Sequence, residues 1–239
     1  MIKTVLCLIC TAIGMLVLTP LGLLSALFGL LGFRRSMSWI AYRAAQGWAR
    51  TLIAIIGCKV TVRGRENIPR KAGICFVSNH NGIVDILILL AYAGRPFGFI
   101  AKKELLRIPF LNMWIAVLGG LFIDRKNPRK AMKTINAGIA RIRRGSNMVI
   151  FPEGSRSRGR GLMPFRPGAL KLATVSESVI VPVALAGTYE VFEINYRAHA
   201  VPVNITFGAP IETAGLPATQ RKQILADSIF DVIHKALTE

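Results

Sequence analysis

A chain of 239 residues is long enough for one α/β domain with a complete core plus an appendage, and too short for a second full domain. It carries 31 Lys and Arg against 12 Asp and Glu, a formal net charge of +19, yet 52% of its residues are hydrophobic. That pairing excludes a disordered basic tail and fits a protein that sits on an anionic surface and buries apolar groups there. Nucleic acid is the competing polyanion, but the chain has no nucleic-acid fold signature and no aromatic residues interleaved with its basic ones.

Residues 4–33 contain no charge, a run longer than the roughly 20 residues that cross a bilayer. Pro20 is expected to split the run. The first piece is long enough to cross or nearly cross, and the second, residues 21–33, returns towards the same face; a single kinked span is the alternative. The run exceeds the roughly 7 to 15 apolar residues of a signal-peptide core, so it reads as an uncleaved anchor. In residues 36–58, Trp39, Tyr42, Trp48, Leu52 and Ile55 mix with Arg43 and Arg50, just after Arg34 and Arg35. This is the composition of an interfacial helix lying on a membrane, and the arginines place that end on the cytoplasmic side. Cys7, Cys10, Cys58 and Cys75 all stand in apolar stretches, so buried, reduced thiols in a cytosol-facing setting are expected. Residues 1–58 thus form the anchor and residues 59–239 the α/β domain.

From Lys59 onwards, strands and helices alternate. Strands are expected at 59–63, 74–77, 97–101, 122–123, 148–151, 179–185 and 203–207, and helices at 85–93, 102–105, 128–144, 168–176 and 218–237. Asn127 and Pro128 give one helix its cap and first turn, and Gly145 gives its stop. Met132, Ile135, Ile139 and Ile142 form its apolar stripe. Its other faces carry Arg129, Lys130, Lys133, Arg141, Arg143 and Arg144 without an acid: either a solvated basic face or a dock for anionic lipid or an acidic carrier protein. The alternation implies a largely parallel or mixed twisted sheet flanked by helices, with its site at the carboxyl ends of the strands.

Three such ends carry chemistry. The first is Ser78 followed by Asn79, His80, Asn81, Gly82, Ile83, Val84 and Asp85, between two apolar runs. An Asp that accepts one imidazole N–H fixes the tautomer and leaves the other nitrogen as a base for an alcohol. Alternatively, His80 caps a turn and Asp85 a helix. The second end is GGLFIDR, closing on Arg125; the third is FPEGSRS, holding Glu153, Gly154, Ser155, Arg156 and Ser157. In a parallel sheet all three fall on one rim, a cationic pocket suited to phosphate. Glu153 there reads as orienting an arginine or a substrate hydroxyl. Backbone N–H groups near Gly82 or Gly154 are candidate oxyanion donors. A covalent route through Ser78 is disfavoured, because alternate strand residues point to opposite faces. His199 and His234 read as surface histidines.

NHNGIVD, GGLFIDR, FPEGSRS and VIVPVAL, in this order, resemble the four blocks of the glycerolipid acyltransferases, most nearly the bacterial 1-acyl-glycerol-3-phosphate type, and the N-terminal hydrophobic motif is also typical of them. The resemblance covers about residues 60–210. It implies transfer of an acyl group from acyl-CoA or acyl-carrier protein to lysophosphatidic acid, with no metal or other cofactor, in the cytoplasmic membrane. It implies His80 as base, Asp85 as its orienting partner, and Arg125, Glu153, Gly154, Ser155 and Arg156 as the acceptor-phosphate site, with Lys102 also meeting phosphate and Pro182 shaping the acyl-donor side. Asn81-Gly82 stand where Gln-Ser is common, Ser155 replaces a usual Thr, and Asn112 falls where Gly is frequent, which leaves another lysophospholipid or a lyso-aminolipid open as acceptor. A non-catalytic anionic-lipid-binding protein is the reading from a different class.

Overall fold

A computed structural model describes residues 1–31, 34–166, 168–214 and 218–238. Its centre is β2 (Ile74–Ser78), five residues that are all buried. Ile-Cys-Phe-Val shows no polar alternation because both faces of the strand are covered. Around it lie β1 (Lys59–Arg63), β3 (Gly98–Lys102), β4 (Leu121–Ile123), β5 (Met148–Ile150), β6 (Val179–Ala186) and β7 (Pro202–Phe207), in the order β1-β7-β6-β2-β5-β3-β4. Every pairing is parallel except β6 with β7. The sheet is therefore mixed, and β2, β3, β4, β5 and β6 all open their carboxyl ends on one rim.

Successive residues of the central strands feed two cores. Ile74 and Phe76 of β2, Val149 of β5 and Val181, Val183 and Leu185 of β6 pack on one side, against α2 (Arg34–Ile56), α3 (Asp85–Tyr92) and Ile115 of α4 (Leu111–Val117). Cys75, Val77, Met148, Ile150, Ile180 and Ala184 face the other, with α5 (Pro128–Arg143), α6 (Lys171–Ser176) and α8 (Ala218–Thr238). Asn127 caps α5 as its sequence predicts, its side chain accepting from the Lys130 N–H. Ile135, Ile139 and Ile142 are buried, whereas Met132 at the end of the expected stripe is 38% exposed. The short helix expected at 102–105 is a 3-10 turn over Lys103–Arg107; α4 and α7 (Thr188–Phe192) are helices that periodicity does not reveal.

Gly98 marks the tightest approach in the sheet. A Cβ there would stand 2.0 Å from the Gly119 carbonyl oxygen, and backbone cannot swing aside as a side chain can. Gly98→Ala is expected to cost about 3 kcal/mol through this overlap, read as a lower urea midpoint at unchanged slope. An unshifted midpoint would mean that the β3–β4 edge yields freely.

α1 (Ile2–Leu30) is one continuous helix of 29 residues, roughly 43 Å at 1.5 Å per residue. Pro20 does not divide it, contrary to the expectation from the sequence. An interior proline removes one i to i−4 bond, and the neighbouring bonds on either side carry the helix through. α1 is long and apolar enough to cross a membrane and exposes most of its side chains. It leans on α2 and α4 where it has no side chain to intrude: the Gly14 position is filled by the Trp48 indole and the Gly22 position by the end of Met113. α2 is more than a surface helix. Tyr42, Ala45, Ala49, Leu52, Ile53 and Ile56 are buried, the Tyr42 hydroxyl donates to the Leu90 carbonyl at 3.1 Å, and Gln46 and Arg50 donate to that of Ala91. These bonds satisfy carbonyls at the C-terminal end of α3 that no helical N–H can reach. The chain thus passes from helix to strand at residue 58 without a break in the core.

Candidate active site

The loop between β2 and α3 is built around Asp85. Its side chain is fully buried, and its two oxygens collect four donors: His80 Nδ1 at 2.6 Å, the N–H groups of Asn81 at 2.7 Å and Gly82 at 3.0 Å, and the Thr188 hydroxyl. Asp85 opens α3, where the helix N-terminus also favours a negative charge. A carboxylate surrounded by donors only accepts, so the imidazole proton belongs on Nδ1 and Nε2 is left as an acceptor. Among the described residues Nε2 has no hydrogen-bond partner. The ring stacks on Phe151, centroids 4.1 Å apart, and keeps 20% of its side chain exposed.

The loop is held from both sides. Asn79 makes a paired bond to the Leu185 backbone, its Oδ1 accepting from the N–H at 2.7 Å and its Nδ2 donating to the carbonyl at 2.9 Å, which ties the end of β2 to β6. On the other side the Ser157 and Arg158 N–H groups donate to the carbonyls of His80 and Asn81, and Asn81 Oδ1 accepts from the Ser157 hydroxyl and the Gly159 N–H. Glu153 stands behind this seam. It is 3% exposed, and its two oxygens accept from the His80 N–H at 2.7 Å and the Met163 N–H at 3.3 Å, so it holds the backbone of His80 where the sequence suggested a contact with substrate.

Burial pushes the Glu153 carboxyl up to about 7, while the His80 and Met163 N–H groups pull it back and Asp85 adds to the rise. A carboxyl raised on folding binds more protons in the folded than in the unfolded chain between pH of about 4.5 and about 7. Its contribution to stability therefore falls as the pH rises through that window. Urea midpoints measured across this range should show the decline, and Glu153→Gln should flatten it. Equal slopes in both proteins would exclude Glu153 as its source.

The cationic rim lies beside this loop. Arg125 donates from Nη1 to the Gly154 carbonyl. Its pKa is lowered from the ordinary arginine value by burial and by the neighbouring charge of Arg166. Two crowded guanidinium groups are what an approaching anion relieves. Gly154 has φ +71°, and a Cβ there would meet Arg166 Cδ and Nε at 2.8 Å, so a side chain is excluded by both conformation and space. Arg156 is anchored to Glu193, Nη1 to Oε1 at 2.7 Å; the same oxygen accepts from the Ile83 N–H at 2.6 Å, and Arg158 lies 3.8 Å from Oε2. Ser155 is exposed. Lys102 ends β3 on the same rim, beside Ile123 of β4, with its ammonium 3.9 Å from Glu104.

Of the residues singled out from the sequence, His80, Asp85, Arg125, Glu153, Gly154 and Arg156 thus join in one bonded neighbourhood. Thr188, Glu193, Arg166, Asn79 and Phe151 belong to it as well and were not assigned there. Thr188 follows an apolar strand on the same rim, a signal as good as that of Arg125; nothing near Glu193 in the sequence marks it. The N–H groups of Gly82 and Gly154 themselves are both committed, to Asp85 and to the Phe151 carbonyl. Ser78 is sealed, its hydroxyl donating to the Asn79 carbonyl. A cavity of about 440 Å³ lined by Ile139, Arg143 and Val175 lies between α5 and α6, away from all these groups.

Residues 59–186 match the model of a family described as Acyltransferase. A 1-acyl-sn-glycerol-3-phosphate acyltransferase of Borreliella burgdorferi is 36% identical over 156 residues, covering 65% of this chain and 61% of that protein. The enzyme of the same name from Salmonella typhimurium is 34% identical over 176 residues, 73% of this chain and 71% of its own. The chain thus spans about three fifths of the first relative and somewhat more of the second. In architecture it is similar to the crystal structure of a 1-acyl-sn-glycerophosphate acyltransferase from Thermotoga maritima, with a TM-score of 0.76 and 22% identity over 98% of this chain and 95% of that one.

Proposed function

The chain belongs to the acyltransferase family, and from that premise we propose that it acylates the free sn-2 hydroxyl of 1-acyl-glycerol-3-phosphate, drawing on acyl-CoA or acyl-carrier protein and giving phosphatidic acid. The observation that carries the reading is the Asp85–His80 pair, with its uncommitted Nε2, beside a rim of arginines. The acceptor's phosphate lies against Arg125, Arg156 and Lys102, which sets its hydroxyl at Nε2. His80 takes the hydroxyl proton as the oxygen attacks the thioester carbonyl; the C–O bond forms, the C–S bond breaks, and the same proton passes from Nε2 to the departing thiolate. Positioned base catalysis of this kind contributes roughly 10²- to 10⁴-fold.

Developing charge on the carbonyl oxygen needs donors. With Gly82 and Gly154 occupied, the N–H groups of Ser155 and Arg156 are among the donors of that loop with no acceptor among the described residues. Pro182 is buried in β6 beside Val77, one residue before the β7 ladder begins, and we assign it to the acyl-donor side through its place in the fourth block. The reaction takes place at the cytoplasmic face of the inner membrane, where α1 anchors the chain among anionic lipids.

The test is an assay of purified full-length protein with lysophosphatidic acid, other lysophospholipids and a lyso-aminolipid in competition, each with both thioester donors. Preferential acylation of lysophosphatidic acid is the expected result. Preference for another acceptor overturns the substrate assignment, and no transfer to any acceptor overturns the reaction.

A further inference from the structure

We propose that Leu106, Ile108 and Phe110 form a second membrane contact, apart from α1, which seats the acceptor rim on the bilayer. The proposal rests on the lysolipid acyltransfer reading and extends it to how the acceptor arrives. Residues 106–110 are five consecutive exposed residues, four of them apolar, with Leu106 at 50%, Ile108 at 45% and Phe110 at 45%. Single exposed apolar residues are ordinary, but three large ones within five residues make a patch. The segment is held in place: Asn112 donates from Nδ2 to the Leu106 carbonyl at 2.9 Å, and its N–H bonds the Ile108 carbonyl at 3.1 Å.

Phe110 itself has φ +61° and ψ −46°, and the Leu111 N–H reaches back to the Pro109 carbonyl at 2.6 Å. This is a γ-turn of the uncommon, strained hand, and here a bulky aromatic occupies a conformation normally left to glycine. The fold thus holds a phenylalanine half-exposed at a conformational cost, and water gives it nothing in return.

Position identifies the occupant. One helical turn beyond Phe110, Met113 and Trp114 fill the space at Gly22 of α1, and Leu23, Leu24, Leu27 and Phe28 on that part of α1 are exposed at 58, 51, 54 and 41%. Two unpartnered apolar surfaces therefore adjoin through one contact. Lys102 and Arg107, both exposed, flank and enter this stretch, the pattern that suits an anionic lipid surface, while Lys103 is paired with Asp124. Lys102 closes β3 on the rim and Leu106 follows four residues later, so the patch is continuous with the rim by chain.

The experiment uses the full-length protein and the triple variant Leu106→Asn, Ile108→Asn, Phe110→Asn; asparagine tolerates positive φ and leaves buried groups untouched. Each is assayed on long-chain lysophosphatidic acid in phosphatidylcholine vesicles containing phosphatidylglycerol, and on a short-chain lysophosphatidic acid free in solution. Loss of bilayer contact is expected to lower kcat/KM about 10-fold on the vesicle-borne acceptor and less than about twofold on the soluble one. Equal losses on both, or none on either, overturn the proposal. Wild-type inactivity on both counts against the acyltransfer reading instead. Independently of turnover, Phe110→Trp should add a fluorescence component quenched by lipids brominated in their acyl chains, beyond that of wild type; no added quenching overturns the contact. Self-association of the wild type that the triple variant abolishes would assign the patch to a second copy of the chain and overturn it too.

Discussion

A His80→Ala protein is expected to remain folded and lipid-bound while its acyl transfer falls by about 10³-fold or more, the upper part of the range for a positioned general base. Among the described residues the imidazole makes one hydrogen bond, to Asp85, and one ring contact, with Phe151. Its removal leaves Asp85 with three donors, the N–H groups of Asn81 and Gly82 and the Thr188 hydroxyl, so no buried charge is orphaned. Thermal unfolding should therefore shift by only a few degrees, and vesicle sedimentation should be unchanged. Steady-state turnover of this variant against wild type is the measurement, and retained turnover would dismiss His80 as the base.

Asp85→Asn is expected to do damage of both kinds. Inside a fully buried site one carboxylate oxygen accepts from His80 Nδ1 and the N–H groups of Asn81 and Gly82, and the other accepts from the Thr188 hydroxyl, so an amide that keeps the first three on its oxygen turns its NH2 group towards Thr188. The Thr188 hydroxyl loses its acceptor, and the three bonds that remain lose their charge assistance, which together cost about 1–3 kcal/mol. The neutral amide also no longer stabilises the imidazolium that forms when Nε2 takes the hydroxyl proton, so turnover falls by about 10²- to 10⁴-fold. Reading both the unfolding midpoint and the rate separates the two effects. A protein that only binds anionic lipid would keep its vesicle affinity and have no turnover to lose, so unchanged transfer in a destabilised Asp85→Asn would refute the pair.

Much of the architecture is legible because burial on two faces and on one face write different patterns. The unbroken Ile74-Cys75-Phe76-Val77 run reads as a central strand, and Asn127-Pro128 reads as a helix start, because each depends on residues close in sequence. The pair His80 and Asp85 is legible for the same reason, five residues being enough for the carboxylate to fold back. What is hidden depends on distance along the chain. Thr188 reaches Asp85 across 103 positions and Glu193 reaches Ile83 across 110, and no local periodicity encodes such meetings. Glu153 misleads because its neighbours are arginines in sequence, while in space its oxygens turn inward to backbone N–H groups. Pro20 misleads because a strong local preference for breaking a helix is outweighed by the apolar residues on either side.

The stretch that matches the acyltransferase family ends at residue 186, yet two side chains that brace its centre, Thr188 and Glu193, stand just beyond. A chimera cut at that border would inherit the histidine and the arginines with their scaffolding removed, like a hinge without its pins. Any attempt to graft this site onto a related chain therefore has to carry the short helix α7 and Glu193 along with the strand before them.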